Sequence, residues 1–428
     1  MQTWVIPLIY VAIAVCLGMF FPRFEYQYLG QYSEFVSQLY FGNLAVSSAQ
    51  SVLGAIASGM MGLTAIVFTV AYITAQFNSV AYSPRVALIF VRDPALFHSF
   101  GLFVATFILS LFTLAWVDRE NSQIVPIISM LIVGCFLIAS MLAFGWLVRG
   151  VIDLQITNTL QSLGDRARAV LRETFDRLET ASDSNARMSD LEIELRARPV
   201  TQVLRYTGAP RSIAKVDVRT LVKMARDADA LIELDCAVGD TIVYDTQLLQ
   251  VRGASRPIPE QALLRAVGLS IERTFAQDPK YPIRLLVDIA IKALSPSIND
   301  PTTAVQAIDQ LEDILRRLGR RALDDVQAKD RDGIIRLTYP TPNWEDFLRL
   351  SFDEIRYYGA NSVQVTRRLR SALAGVAESI SDPERIRAVE RYVQQLNTVI
   401  SRLPLDEEDR IVASQQDRQG LGVSRRSR

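Results

Sequence analysis

The densest cluster of polar side chains in this sequence surrounds one predicted turn between two helices. Carboxylate, ammonium, amide and hydroxyl groups lie close together here and could grip a small ligand or a cytoplasmic partner through hydrogen bonds and ion pairs. Helix caps need the same residue types, so the alternative is that the cluster only closes the two helix ends. The members of the cluster are Asp288, Lys292, Asn299, Asp300, Thr302 and Thr303.

The helices that position this cluster follow from the local pattern. A helix is expected from Ile283 to Leu294, and Ser295-Pro296 breaks it. A second helix is expected to begin with Asp300 as N-cap and Pro301 at its first position. Its predicted buried face is Ala304, Ile308, Leu311, Leu315 and Leu318, and its supporting i,i+4 pairs are Glu312 with Arg316 and Asp313 with Arg317.

Small and hydroxyl-bearing side chains form a second set, which lies inside long apolar segments. They recur at steps of three and four residues and therefore share one face of a helix. Such faces either line a water-filled path in an oligomer or pack helix on helix, and the sequence leaves both open. The positions are Ser58, Gly62, Thr69, Tyr72 and Gln76 in the second segment, and Ser99, Thr106, Ser110 and Thr113 in the third.

Four apolar segments must carry these faces. A spanning helix needs about 20 mostly apolar residues, and residues 1–148 contain four such stretches, at about 4–21, 49–76, 97–117 and 124–148. We therefore expect an integral membrane protein. None of the four retains a charge at its centre, which disfavours a proton-coupled carrier with a carboxylate in mid-membrane.

The arginine distribution predicts the orientation of these spans. Arg85 and Arg92 lie between the second and third spans and Arg149 follows the fourth, whereas the opposite connections carry more acid, including Glu25 and Glu34. Cytoplasmic loops carry the excess of Lys and Arg. We therefore expect the N- and C-termini and the whole soluble part to be cytoplasmic.

A connecting cytoplasmic helix is expected over residues 149–185. Ile156, Leu160, Leu163 and Ala167 keep steps of three and four and give this helix one long apolar face. A rigid helix joined to a span can carry movement between the soluble and membrane parts. The alternative is that the helix only packs on its own soluble domain or on a symmetry mate.

Residues 190–256 are expected to form a small β-rich module, followed by a helical domain over 259–402 and a disordered tail over 403–428. The stretch VGDTIVYDTQLLQV resembles the return half of a lipoyl-like barrel-sandwich hairpin. Asp245 stands where that pattern has Gly, and no Asp-Lys-Ala tip is present to carry a lipoyl group. The predicted fold class is thus a membrane α-helical part with four transmembrane helices, plus a cytoplasmic α+β region with a barrel-sandwich-like module and a C-terminal helical domain.

Catalytic chemistry finds no support in the motifs. The chain has no phosphate-cradling Gly-rich loop, no nucleophile motif and no metal-ligand spacing, so we expect no enzyme, no cofactor and no metal. The acidic pairs Asp324-Asp325 and Glu312-Asp313 are interpreted as solvated helical surface. Nucleic acid is not an expected partner, because 46 basic residues are balanced by 46 acidic ones.

Two segments of the chain resemble a known family. LVDIAIKALSPSINDPTTA, from Leu286 to Ala304 and preceded by ERTFAQDP, looks like the hallmark of a large bacterial family of predicted membrane proteins, domain of unknown function family 2254. QFNSVAYSPR, from Gln76 to Arg85, is similar to the Gln-x-x-Ser and Ser-Pro-Arg pattern of that family, and the likeness continues to about Gly375. The resemblance implies a multi-pass protein of the bacterial inner membrane with a cytoplasmic domain. It supplies no catalytic residue and no substrate.

Two functional hypotheses follow. The first is an oligomeric channel or pore in the lipid bilayer, built from identical chains and controlled by the cytoplasmic domain. The second is a non-conducting, membrane-anchored sensor or scaffold that binds a cytoplasmic protein or small ligand. A carrier for a neutral or lipid-like substrate is also compatible with the sequence.

Overall fold

The computed structural model of the chain describes residues 5–29, 45–81, 94–119, 125–152, 156–175, 194, 196–323, 325–404 and 406–421. These residues fall into two compact units. We call Met1–Gln155 the membrane unit and Ile156–Arg428 the C-terminal unit. Each unit has its own buried apolar residues.

Four helices make up the described part of the membrane unit. They are α1 (Val5–Tyr28), α2 (Val46–Ala81), α3 (Pro94–Leu114) and α4 (Ile127–Ile152). Each contains a stretch long and apolar enough to cross a membrane, so the four predicted spans are present as four candidate membrane helices. Arg85 and Arg92, on which the predicted orientation depends, lie outside the described residues.

Helix α3 is the centre of the membrane unit, because it packs against α1, α2 and α4. Two glycines bring α1 and α3 together. A Cβ atom on Gly18 of α1 would lie 2.6 Å from the Cβ of Phe112, and one on Gly101 of α3 would lie 3.0 Å from the Cα of Pro7. The first distance leaves no room for a Cβ atom and the second would make an unusually tight contact, so small residues favour the close approach of these two helices.

The C-terminal unit begins with α5 (Ile156–Thr174) and continues with two sheets. Its first five strands are β1 (Val200–Arg205), β2 (Arg211–Val216), β3 (Leu231–Leu234), β4 (Thr241–Ile242) and β5 (Gln247–Arg252). The others are β6 (Val267–Ser270), β7 (Val326–Lys329) and β8 (Ile335–Tyr339), with helices α6 (Val218–Asp227) and α7 (Glu260–Ala266) between strands.

One sheet has the order β1-β5-β3-β8-β7 and the other the order β4-β2-β6. Strand β8 joins β3 in parallel, and β6 joins β2, so both sheets take strands from either side of residue 256. An apolar core that includes Ile213, Leu221, Ile232 and Leu248 holds the sheets and α6 together. The described strands form no closed barrel, and the barrel-sandwich prediction is unconfirmed. Asp245 has φ 64° and adopts the left-handed conformation that favours glycine.

The remaining helices form a layer around one central member. They are α8 (Lys280–Ala293), α9 (Pro301–Leu318), α10 (Trp344–Tyr358), α11 (Val363–Glu378), α12 (Pro383–Arg402) and α13 (Glu407–Ala413). Helix α9 contacts α5, α8, α10 and α11. All five residues predicted for its buried face are 0% exposed, which confirms the predicted face.

The C-terminal segment differs from the expected disordered tail. Residues 406–421 contain α13, which packs on α11 and α12. Asp406 caps this helix by accepting a hydrogen bond from the backbone N–H of Asp409. Ala413 is 1% exposed, so even this polar segment supplies an apolar contact that a composition argument overlooks.

The glycine contact in the membrane unit makes a stability prediction. Gly18→Ala should overpack the α1–α3 contact and lower the free energy of unfolding by about 1–3 kcal/mol, the usual range for an added methyl group in a filled core. Gly145→Ala on α4 is the matched control, because nothing lies within 4 Å of its Cβ position. Thermal unfolding in detergent measures both, and equal transition temperatures for the two variants would contradict the packing role of Gly18.

Candidate functional site

The structure separates the two sets of hydroxyl residues predicted in the spans. On α2, the residues Ser58, Gly62, Thr69, Tyr72 and Gln76 are all exposed. The buried residues Leu53, Met60 and Val67 lie on the opposite face of this helix. The predicted α2 face therefore points away from the other helices of the membrane unit; we call these five exposed residues the polar face of α2.

The hydroxyl groups on this face bond to their own helix. Ser58 Oγ donates to the carbonyl of Gly54 at 2.7 Å, and Thr69 Oγ1 donates to the carbonyl of Ala65 at 2.9 Å. Gln76 Nε2 donates to the hydroxyl of Tyr72 at 2.7 Å. The oxygen lone pairs of Ser58 and Thr69 thus remain available to groups outside the chain.

The α3 set is buried inside the membrane unit. Ser99, Thr106, Ser110 and Thr113 are each at most 1% exposed. The Thr106 and Ser140 hydroxyls lie 2.9 Å apart, which links α3 to α4, and Ser110 Oγ donates to the carbonyl of Thr106 at 2.7 Å. This arrangement is helix packing, one of the two alternatives left open by the sequence.

Glycines give a similar contrast between α2 and the α1–α3 pair. The Cβ positions of Gly18 and Gly101 are crowded by neighbouring helices. Those of Gly54, Gly59 and Gly62 on α2 have nothing within 4 Å. Small residues that permit close helix approach are therefore used between α1 and α3, but have no neighbour in the described chain on α2.

Glu25 caps a helix of the membrane unit, a role that the sequence did not predict. It is 1% exposed at the end of α1, and its carboxylate accepts hydrogen bonds from the backbone N–H groups of Ile128 and Ser129, both at 2.8 Å. These N–H groups belong to the first turn of α4, which has no partner for them inside the helix. No local pattern predicts this cap, because 103 residues separate Glu25 from Ile128.

In the C-terminal unit, the predicted polar cluster divides into separate roles. Asp300 caps α9 by accepting a hydrogen bond from the backbone N–H of Thr303 at 3.1 Å, as predicted. Asn299 has φ 48° in the turn before the cap. Asp288 instead pairs with Arg284 at 2.7 Å. Lys292 is half-buried and Thr302 is exposed near the same turn.

The ERTFAQDP segment docks α8 onto the sheets. Gln277 Oε1 accepts a hydrogen bond from the backbone N–H of Val216 on β2 at 2.8 Å. Asp278 is 1% exposed and pairs with Arg273; burial raises the pKa of Asp278, and Arg273 opposes that rise. Gly239 has φ 89°, and a Cβ there would lie 2.2 Å from Asp278 Oδ2. Position 239 thus requires glycine for two reasons: its φ is positive, and a side chain there would collide with Asp278.

Charged side chains join α5, α9 and α11 in what we call the ion-pair ladder. Arg168 of α5 lies 2.8 Å from Asp313 of α9. One turn earlier in α9, Asp309 lies 2.6 Å from Arg368 of α11, which is 4% exposed and also pairs with Glu312. The interpretation of Glu312-Asp313 as solvated surface is wrong for Glu312, whose side chain is 16% exposed, whereas Asp313 is 39% exposed and also pairs with a neighbouring helix.

Two glycines make room for the ladder. A Cβ on Gly164 of α5 would lie 2.1 Å from Oε1 of Gln310. A Cβ on Gly375 of α11 would lie 2.2 Å from a terminal nitrogen of Arg316 and 2.4 Å from Oε1 of Glu312. One small residue on each flanking helix thus lets the polar side chains of α9 fit between the backbones.

The ladder also explains how α5 is held. Its buried residues include Leu160, Leu163, Ala167 and Val170, as the predicted apolar face requires. They pack on α8 and α9, which agrees with the packing alternative for this helix. Residues 153–155 and 176–193, which complete the predicted connecting helix and the chain after it, lie outside the described residues.

The residues that the structure describes contain no candidate metal site. No three His, Cys, Asp or Glu side chains among them converge in a way that could hold a metal ion. The arrangement of the C-terminal unit instead consists of caps, docking contacts and ion pairs between helices.

The ladder predicts a large effect from one buried arginine. Arg368→Leu should lower the free energy of unfolding of the C-terminal unit by about 1.5–3 kcal/mol, because Asp309 and Glu312 lose their charge-assisted hydrogen bonds to a buried guanidinium. Arg317→Leu is the control, since its side chain is 59% exposed and an exposed pair contributes only about 0.3–0.5 kcal/mol. Chemical unfolding followed by tryptophan fluorescence measures both; comparable losses would show that the ladder does not stabilise this layer.

Asp313 predicts a pH dependence. Burial alone would raise its pKa, but hydrogen bonds from Arg317 and Arg168 outweigh burial and hold the pKa below the ordinary value. Its stabilising contribution is therefore full above about pH 4 and is lost as the pH falls through the lowered pKa. Asp313→Asn should reduce the slope of unfolding free energy against pH by up to about one proton in the acid range. An unchanged slope would mean that Asp313 is not preferentially charged in the folded chain.

Sequence comparisons identify relatives of this chain. A protein of Mycobacterium tuberculosis (strain ATCC 25618 / H37Rv) and one of Mycobacterium bovis, both described as uncharacterized, are each 28% identical over 370 residues. The aligned region covers 85% of this chain and 70% of each relative. No solved structure matches the chain.

A comparison with protein families finds a match that covers most of the described helices. The match to the family described as "Predicted membrane protein (DUF2254)" extends over residues 1–375. It includes all four membrane helices, the sheets and the ion-pair ladder up to Gly375. The chain belongs to this family of predicted membrane proteins.

Proposed function

We propose that the protein is a homo-oligomeric channel of the bacterial inner membrane, controlled by its C-terminal unit in the cytoplasm. The observation that carries this proposal is the polar face of α2. It is exposed in the single chain, lies opposite the apolar face that packs in the membrane unit, and includes a glycine with open space at its Cβ position.

Hydroxyl groups that face lipid find no hydrogen-bond partner in the surrounding hydrocarbon. In an oligomer, the same groups face either a neighbouring α2 or water along the symmetry axis. Gly59 and Gly62 permit the close approach of a second helix, while Ser58, Thr69 and Gln76 supply oxygen atoms that can replace water around a permeating ion. The path would have no fixed charge, since the described part of α2 has no ionisable side chain other than Tyr72.

Control by the C-terminal unit is supported by the way α5 is held. This helix is fixed to α9 by Arg168 and Asp313 and by its apolar face. Only residues 153–155 separate α5 from α4 in the chain. A displacement of α5 must therefore be absorbed by three residues or passed to a membrane helix.

Currents from purified protein in planar bilayers test the proposal. Ser58→Leu and Thr69→Leu should reduce single-channel amplitude or change selectivity, because each places a larger apolar group on the proposed path. Val70→Leu is the matched control: it lies beside Thr69, is 41% exposed and falls outside the polar face. Currents that respond equally to all three changes would place the path elsewhere, and silence from folded protein would favour a non-conducting sensor or scaffold.

The oligomer can be tested separately by cross-linking. In a chain whose native Cys16, Cys135 and Cys236 are replaced by alanine, Gly59→Cys should form disulfide-linked dimers in the membrane. Leu142→Cys on α4 is an exposed control outside the polar face. Equal cross-linking at both positions would mean random collision in the bilayer rather than contact through α2.

A further inference from the structure

Residues 406–421 form a separate segment at the end of the described chain, which we call the C-terminal strap. They lie beyond the family match, which ends at residue 375. The strap contains α13 and packs on α11, the helix that contributes Arg368 to the ion-pair ladder.

Three contacts seat the strap on the unit. Arg367 of α11 is 8% exposed, and its Nε donates to the carbonyl of Val412 at 2.6 Å. Ala413 is 1% exposed. Gly420 has φ 72°, and a Cβ there would lie 2.3 Å from the carbonyl oxygen of Gln364, so the strap passes close to the beginning of α11.

The contacts of the strap are connected to α5 through adjacent residues of α11 and α9. Arg367, which holds the strap, precedes Arg368, which pairs with Asp309 and Glu312 of α9. Glu312 precedes Asp313, which holds Arg168 of α5. Two adjacent arginines and two adjacent carboxylates thus connect the strap to α5 through direct contacts.

We propose that the strap is an intramolecular brace that regulates the position of α5. When seated, it holds α11 in place, and α11 holds α9 and α5 through the ladder. When released, it loosens α11 and with it the grip on α5. The effect on the membrane rests on the proposed channel function, whereas the effect on α5 does not.

Hydrogen–deuterium exchange of the full chain in detergent tests the brace. Ala413→Asp places a charge in a buried seat and should speed exchange in α13, α11 and α5. The expected increase in α5 is about two- to thirtyfold, the range usual for coupling between packed elements. Gln415→Asp is the matched control, because Gln415 is exposed on the same segment. Faster exchange in α13 with unchanged exchange in α5 would overturn the proposal.

A chain that ends at Pro404 removes the strap outright and covers the case in which Ala413→Asp leaves it seated. Exchange in α5 should rise in this chain, and a synthetic peptide of residues 405–421 should restore protection. The same peptide carrying Ala413→Asp should not restore it. Unchanged α5 exchange after truncation would overturn the brace.

Single-channel recording separates the brace from the channel itself. Release of the strap should change open probability and leave the current amplitude unchanged. Currents with the same open probability before and after release of the strap would overturn its regulatory role and leave the channel proposal standing. No currents from any variant, with α5 exchange altered as expected, would overturn the channel and support the brace.

Discussion

The carboxylates of α9 lie between guanidinium groups that arrive from two neighbouring helices, and the helical layer is arranged around this constraint. A charge taken out of water is tolerated only when a partner compensates it. The buried guanidinium of Arg368 meets that condition through Asp309 and Glu312, and the mostly buried Arg168 meets it through Asp313. Gly164 and Gly375 leave space for the polar ends of Gln310, Arg316 and Glu312.

Both ends of α9 are fixed as well. At its beginning, Asp300 accepts hydrogen bonds from the backbone N–H and the hydroxyl of Thr303. At its end, the buried Arg385 donates to the carbonyl oxygens of Gly319 and Arg321 at 3.0 and 2.9 Å. The helix that begins within the NDPTTA motif is therefore held at its start, middle and end. Its position decides where α5 and α11 lie, which is why we place control of the proposed channel there.

The membrane unit meets the opposite constraint, because an apolar surrounding offers no water to its polar groups. Glu25 satisfies the first turn of α4, and Thr106 and Ser140 satisfy each other between α3 and α4. The polar face of α2 is different: its groups bond to their own helix and face outward. That imbalance within a single chain is the physical basis for proposing an oligomer.

The sequence by itself determined the features that depend on residues a few positions apart. Apolar runs specified the four membrane helices, and the spacing of Ala304, Ile308 and Leu311 specified the buried face of α9. Asp300-Pro301 specified a helix start, since a cap bonds to the next turn of the same chain. These interactions recur at the helical period and can be recognised without knowing the fold.

Only the tertiary structure decided which distant groups meet. Glu25 caps a helix 103 residues away, and β8 enters the sheet beside β3 although the sequence favoured a separate module before residue 256. The hydroxyl faces of α2 and α3 have similar spacing, yet one is exposed and the other buried. Residue spacing shows which side chains share a face of a helix, but which helix packs against that face depends on the fold of the whole chain.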